Sequence, residues 1–339
     1  MGLLSRKPKL KRVQDQTIVI TGASSGIGLA TAKLAAQRGA RVVLSARNEE
    51  DLRRECGDIN SRGGRAIYVV ADVAVPEAVD RIADAAIREF GRFDTWVNNA
   101  GVSIFGKLTE VSLADKRRLF DTNFWGVVHG CRTAVRHLSQ GGGALINVGS
   151  IVSDRAVPLQ SIYSASKHAV QGYTDGLRME LEHDNVPISV TLVKPSAINT
   201  PYLEHARNYM EEAPNFPPPV YAPEVVAEAI LECAAHPVRD ITIGGGGRML
   251  AMMGMLAPRT TDIYMEQTMF RQQKTDSRPR QTNDNLYSPG EDGAVEGPYE
   301  GHVMRSSTYT RAMLSDVTRA LPFIAAGVAV AEGVRRIRH

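Results

Sequence analysis

The chain has 339 residues, 43% of them hydrophobic and 23% charged, enough to bury a sizeable core in an ordinary globular composition. A formal charge of +3 and few aromatics, with no basic stripe interleaved with rings, leave no electrostatic footprint for nucleic acid. Three cysteines, Cys56, Cys131 and Cys233, are odd in number and far apart, which excludes a visible disulfide framework or paired metal-ligand spacing.

The first residues, "MGLLSRKPKLKR", are basic, and their apolar run is too short for the core of a secretory signal, so a cytoplasmic protein is expected. Arg6 stands where a myristoylation pattern needs Ser or Thr, and residues 1–15 read as a solvated basic arm. From Thr17 short β-branched runs alternate with helix-length segments: "TIVIT", a helix from Gly26, "RVVLS", a helix from Glu49, "RAIYVVA", a helix from Pro76. The alternation continues through "DTWVNN", one helix from Leu113 to Leu138, "GALINVGS", a helix from Ser164 to Glu182, "ISVTLVK", a helix from Pro223 and "DITIG". This is the pattern of βαβ units, so an α/β doubly wound sheet of seven parallel strands is predicted over 16–247. Beyond it come a Met-rich apolar run (248–274), a polar stretch (275–310) and an apolar, basic end (311–339).

"TIVITGASSGIGLATA" places a glycine-rich turn directly between the first strand and a helix. Gly22 permits the sharp turn, Gly26 lets backbone approach a pyrophosphate, Gly28 lets the helix pack closely, and the helix start offers unpaired N–H groups. A dinucleotide is the expected ligand.

The spacing is TGxxxGxG, and it is accompanied by "DV" at Asp72 and Val73, "NNAG" at Asn98 to Gly101, Asn123 in "DTNFWG", Ser150 after a strand, and "YSASK" from Tyr163 to Lys167. With these six motifs in order, Gln16 to Gly247 resembles the short-chain dehydrogenase/reductase family in its non-extended branch. The resemblance implies a Rossmann fold in which Ser24, Ser25 and Ile27 complete the phosphate loop, Asp72 and Val73 contact adenine, and Asn99, Ala100 and Gly101 support the cofactor. It also implies that Pro195, Ile198 and Thr200 meet the nicotinamide end, although Ser196 replaces the family's usual glycine and could narrow that space. Helices over 113–138 and 164–182 form dimer interfaces in the family, so a homodimer is expected.

The second strand ends "VVLSARNEE", where an acid would bind the ribose 2′-hydroxyl of NAD. Ala46 takes that place and Arg47 follows, able to hold a 2′-phosphate, so NADP(H) is favoured over NAD(H). Hydride transfer to a carbonyl needs a proton donor, and Tyr163 is the candidate. A free tyrosine titrates near pH 10; Lys167, four residues on in a helix, brings a positive charge that would lower it. By resemblance Lys167 also holds the nicotinamide ribose, Ser150 positions the substrate oxygen and Asn123 joins a proton relay. The histidines are scattered without ligand spacing, so no metal is expected.

Ile104, Phe105, Val152, Val157 and Leu159 suggest an apolar pocket for a lipophilic ketone, aldehyde or alcohol, with the proline-rich stretch 201–223 as a lid. Asp154 and Arg155 are expected to pair with each other or face water. The stretch from Thr275 is too poor in aliphatics to offset its ordering entropy and reads as a disordered linker. It leads to an apolar run, Leu321 to Ala331, about 17 Å long as a helix and too short for a hydrocarbon core of about 30 Å. Two readings stay open for that run: packing on this chain or a second subunit, or contact with a membrane surface through its flanking arginines.

Overall fold

The computed structural model describes residues 8–279, 284–290 and 293–314. Seven strands form one sheet: β1 (Thr17–Thr21), β2 (Arg41–Ala46), β3 (Arg65–Val70), β4 (Thr95–Asn98), β5 (Gly143–Val148), β6 (Ile188–Pro195) and β7 (Asp240–Ile243). Their order is β7-β6-β5-β4-β1-β2-β3 and every pairing is parallel. Because side chains alternate across a strand, Ile18 and Ile20 of β1 face one layer and Val19 the other. The first layer packs under α1 (Gly26–Gln37), α2 (Glu49–Ser61) and α7 (Pro223–Ala235). The second packs under α3 (Pro76–Phe90), α5 (Gly126–Leu138) and α6 (Ser161–His183). Chain order reverses between β1 and β4, which opens a crevice at the carboxyl ends of the strands.

The helix expected from Leu113 to Leu138 is divided: α4 (Leu113–Phe120) passes into α5 through a π-helical turn, Asp121–Trp125. Such a turn inserts one residue into the helical register and is common at functional sites; here it carries Asn123. After β7 the chain turns at once into α8 (Gly245–Leu256) and α9 (Pro258–Gln272), an antiparallel-like pair that folds the Met-rich run back over the crevice. Met265 and Met269 are buried there, while Met249, Met255 and Leu256 are exposed.

The expected disordered linker is a correction. Its described residues pack on the sheet and its helices: Leu286 is wholly buried with Val102, Ile104, Val111 and Leu119, and Val303–Met304 pairs with Val220–Tyr221. Val220–Tyr221 pairs in turn with Ala197–Ile198, making a three-stranded parallel ribbon. The segment is held by its backbone groups, the Leu286 side chain and the Tyr287 hydroxyl, which donates to Asp115, a kind of order that low aliphatic content does not forbid. A last helix, α10 (Thr308–Leu314), packs near β7 through the Thr310 hydroxyl, which accepts from the Gly244 N–H at 3.2 Å. Leu321 to Ala331, and with it the question of membrane contact, lies outside the described residues. Among the described residues no helix is long and apolar enough to cross a membrane.

Candidate active site

The crevice is a cavity of about 700 Å³ running from the phosphate loop to α8 and α9. Every cofactor and catalytic position singled out above lines it except Gly28 and Asn123, which stand behind its wall. At the loop, Gly22 has φ +65 and a Cβ there would lie 2.8 Å from the Ala100 Cα; a Cβ on Gly28 would lie 2.0 Å from the Gly22 carbonyl oxygen. Both positions therefore need glycine, one for conformation and contact, the other for contact alone. Thr21 and Asn99 lock the loop to β4: the Asn99 and Ala100 N–H groups donate to the Thr21 hydroxyl at 3.0 and 3.1 Å, and the Asn99 amide donates to the carbonyls of Thr21 and Gly22. Asn98 faces inward instead, bonded to Trp96 and Asn147.

Farther along, the Asp72 carboxylate receives the Arg118 guanidinium at 2.6 Å and the Ala74 N–H at 3.0 Å. Burial alone would raise this carboxyl, but those donors hold it below its ordinary value. Arg47, just past the end of β2, lines the cavity with its guanidinium against backbone carbonyls of the C-terminal segment.

The chemical end gathers residues from three elements. Ser150 lies two residues past β5 and caps the short turn Ile151–Ser153, accepting from the Val152 N–H at 3.3 Å. Tyr163 and Lys167 share a face of α6, with the ammonium 5.7 Å from the ring centroid. Lys167 Nζ donates to the Val148 carbonyl at 2.8 Å. The Asn123 amide is pinned by the Val102 N–H and C=O at 2.8 and 2.9 Å and by the Ser166 hydroxyl at 3.2 Å, so the π turn is clamped against the loop beside Gly101. Burial pushes the Lys167 ammonium down to about 8. It also raises Tyr163, partly offset by hydrogen bonds from Tyr202 and Ser150. Burial is thus the largest influence on both groups, and the hydrogen bonds with Tyr202 and Ser150 work against it at Tyr163.

Tyr202 is a site residue the sequence reading missed. It opens the lid, places its hydroxyl 2.6 Å from the Ser103 hydroxyl, stacks on Phe216 and meets the Tyr163 ring edge-on at 5.7 Å. Its proximity could be suspected only from its place just after Thr200. On the substrate side Val152 and Val157 line the cavity as expected, but Ile104 and Phe105 do not: they are buried in a strand pair with Arg207–Asn208. Leu159 is likewise buried behind the wall. The apolar lining comes instead from Phe216, Leu250, Met253 and Met269. Arg155 and Asp154 do not pair with each other: Arg155 meets Asp262 of α9, tying that helix over the pocket, and Asp154 meets Lys194 at 2.9 Å. The Ser196 hydroxyl points toward Gly244 and Gly247, where added Cβ atoms would approach it to 2.9 and 2.6 Å.

The residues present fit a dinucleotide. Ser45 and Ser196 each carry a buried hydroxyl without a hydrogen-bond partner on the cavity wall, and Gly22 and Gly26 of the loop present bare backbone to the cavity. No cluster of three or more His, Cys, Asp or Glu among the described residues is placed to hold a metal.

Comparison with known proteins agrees with this geometry. The chain is 47% identical over 340 aligned positions to an uncharacterized oxidoreductase, YxnA, of Bacillus subtilis, covering 99% of this chain and 95% of that protein. A short-chain dehydrogenase/reductase of Burkholderia phymatum, solved in complex with NAD, superposes with a TM-score of 0.62 at 27% identity, covering 81% of this chain and 99% of that one. A short chain dehydrogenase of Burkholderia cenocepacia, solved with NADP, superposes with a TM-score of 0.61 at 28% identity, covering 70% of this chain and 100% of that one. The sequence profile described as short chain dehydrogenase matches residues 16–211. The chain belongs to the short-chain dehydrogenase/reductase family and is an NAD(P)-dependent oxidoreductase.

Proposed function

We propose that the protein interconverts a lipophilic ketone or aldehyde and its alcohol, with NADP(H) preferred. The observation that carries this reading is the meeting, in one cavity, of Tyr163, Ser150 and Lys167 with an apolar wall of Phe216, Leu250, Met253 and Met269. Arg47, on the adenosine side and with no acid at Ala46, supports the cofactor preference.

In reduction, a dinucleotide held by the glycine-rich loop would supply a hydride to the carbonyl carbon. The Tyr163 phenol gives its proton to the oxygen, which leaves as the alcohol, and the Ser150 hydroxyl holds that oxygen in line. Burial raises Tyr163 and so opposes formation of the phenolate, and hydrogen bonds with Tyr202 and Ser150 partly offset this. The Lys167 ammonium stabilises the phenolate left behind and would bind the nicotinamide ribose, while Asn123 holds the π turn against the Gly101 loop. By the same resemblance Asp72 and Val73 flank the adenine, and Pro195, Ile198 and Thr200 the carboxamide.

Two further parts of this reading concern partners. Leu113, Trp125 and Met179 are 68%, 49% and 64% exposed on α4, the π turn and α6, the helices expected to form a homodimer. Burial of such side chains against a second copy would remove that exposure, and sedimentation equilibrium tests it. The exposed Met249, Met255 and Leu256 beside the pocket suit transfer of a lipophilic substrate from an apolar phase, and flotation with liposomes tests membrane contact.

The central test is NADPH consumption by the purified protein across lipophilic aldehydes and ketones, with Tyr163→Phe alongside. Turnover lost in the variant supports the reading. Tight NADPH binding with no turnover on any member of a broad panel would favour a dinucleotide-binding protein without this chemistry.

A further inference from the structure

Residues 284–290 and 293–299 run along the rim of the dinucleotide groove and take up hydrogen-bond donors that face it. The Arg47 guanidinium donates to the carbonyls of Asn285, Tyr287 (3.2 Å) and Ser288 (3.4 Å), using both Nη atoms. Beside it the Arg118 Nε donates to the Leu286 carbonyl at 2.9 Å and the Asn48 amide to the Gly290 carbonyl at 3.1 Å. At the loop the Gly26 N–H, first of α1, donates to the Ala294 carbonyl at 2.9 Å. Anchoring comes from elsewhere: the wholly buried Leu286 side chain, and the Tyr287 hydroxyl, which donates to Asp115 at 2.8 Å.

We infer that the backbone carbonyls of residues 285–288 compete with a ribose 2′-phosphate for Arg47, so that this C-terminal strap sets how strongly the enzyme discriminates NADP(H) from NAD(H). The inference rests on the reading of Arg47 as the 2′-phosphate residue. A guanidinium grips a phosphate through two adjacent donors in its plane. With both Nη atoms on carbonyls, that fork becomes available only when the strap releases at least one of them. NAD(H), which carries a 2′-hydroxyl, makes no such demand. The Gly26 contact opposes both dinucleotides equally, because the pyrophosphate is common to them, and it cancels in a ratio of affinities. What remains in the ratio is the strap's hold on Arg47, and that hold is transmitted from Leu286 and Tyr287.

The measurement is the ratio of the Kd for NAD+ to the Kd for NADP+, by calorimetry on the full chain. Leu286→Ala, and more weakly Tyr287→Phe, should raise the ratio, by roughly threefold or more for Leu286→Ala. Arg47→Ala should bring the ratio toward unity, and adding Leu286→Ala to it should change the ratio no further. If Arg47→Ala lowers the ratio while Leu286→Ala and Tyr287→Phe leave it at the wild-type value, the strap inference is overturned and the phosphate reading stands. If Arg47→Ala leaves the ratio unchanged, both fall. Hydrogen exchange on the unaltered protein gives a second check: the Asn285 N–H, bonded to the His205 carbonyl at 2.9 Å, should exchange faster with NADP+ bound than with NAD+. Equal or slower exchange with NADP+ overturns the inference.

Discussion

The inner wall of the cavity and its outer rim are built from different materials. Inside, Asn123, Ser150, Tyr163 and Lys167 project from the π turn, the turn after β5 and α6, and each is held by side-chain or main-chain partners within the catalytic domain. On the rim the strap offers mainly backbone carbonyls, and the side chains that receive them, Arg47, Asn48 and Arg118, belong to the domain beneath. Carbonyls are generic acceptors, so a better acceptor such as a phosphate can replace them, whereas nothing in solution replaces a tyrosine placed on a helix face. The wall is specific and fixed; the rim is exchangeable.

The largest expected effect probes the wall. Tyr163→Phe should lower kcat/KM by about 10²–10⁴-fold while dinucleotide affinity, read by calorimetry, stays close to that of the parent. A variant that keeps its turnover would show that the proton comes from elsewhere, with Tyr202 the next candidate.

The second effect concerns what the wall costs. Lys167 is pushed from 10.5 to about 8, so the unfolded chain binds this proton more tightly than the folded one. Stability is therefore reduced by up to about 3 kcal/mol below pH 8 and recovers as pH rises from 8 to 10.5. Lys167→Met, which removes the charge but also the bond to the Val148 carbonyl, should be inactive yet about 1–2 kcal/mol more stable at pH 7 in urea unfolding, with the advantage shrinking toward pH 10.5. A less stable variant at pH 7 would mean that the ammonium is well solvated or paired in the folded state.

Smaller effects probe the rim. Leu286→Ala should make residues 284–299 sensitive to limited proteolysis while the main melting transition shifts little, because the strap can open without the sheet. Cooperative loss of the whole fold would make the strap part of the core rather than its cover. Tyr287→Phe, losing one hydroxyl bond, should speed hydrogen exchange of 284–290 by roughly fivefold.

The wall was legible in the sequence because its determinants are local. Tyr163 and Lys167 are four residues apart on one helix, and TGASSGIG is a strand, a turn and a helix start in consecutive residues. The sheet was legible for the same reason, through β-branched runs separated by helix-length segments. The rim was not, because a segment held by its own carbonyls leaves no side-chain pattern: at Asn285, Tyr287 and Ser288 it is the C=O group that bonds Arg47, and any residue has one. Leu286 was the clearest signal, an aliphatic in a polar stretch. The apolar lining was misassigned for a related reason. Ile104 and Phe105 are near the site in sequence but point into the core, whereas Met253 and Met269 reach the pocket only because α8 and α9 double back.

The three-stranded ribbon joins parts of the molecule that handle different ligands. Ala197–Ile198 borders the cavity, Val220–Tyr221 ends the lid, and Val303–Met304 follows the strap; the Asn199 carbonyl also receives the Gly297 N–H at 3.3 Å. Mechanically this is a yoke: a pull on any of the three strands is felt by the other two. Seating the dinucleotide would then set the lid before a substrate arrives, and turnover would follow a compulsory sequence with dinucleotide first on and last off. Product-inhibition patterns would show this as competition between the two forms of the dinucleotide alone, and competition between alcohol and carbonyl at saturating dinucleotide would argue against the yoke.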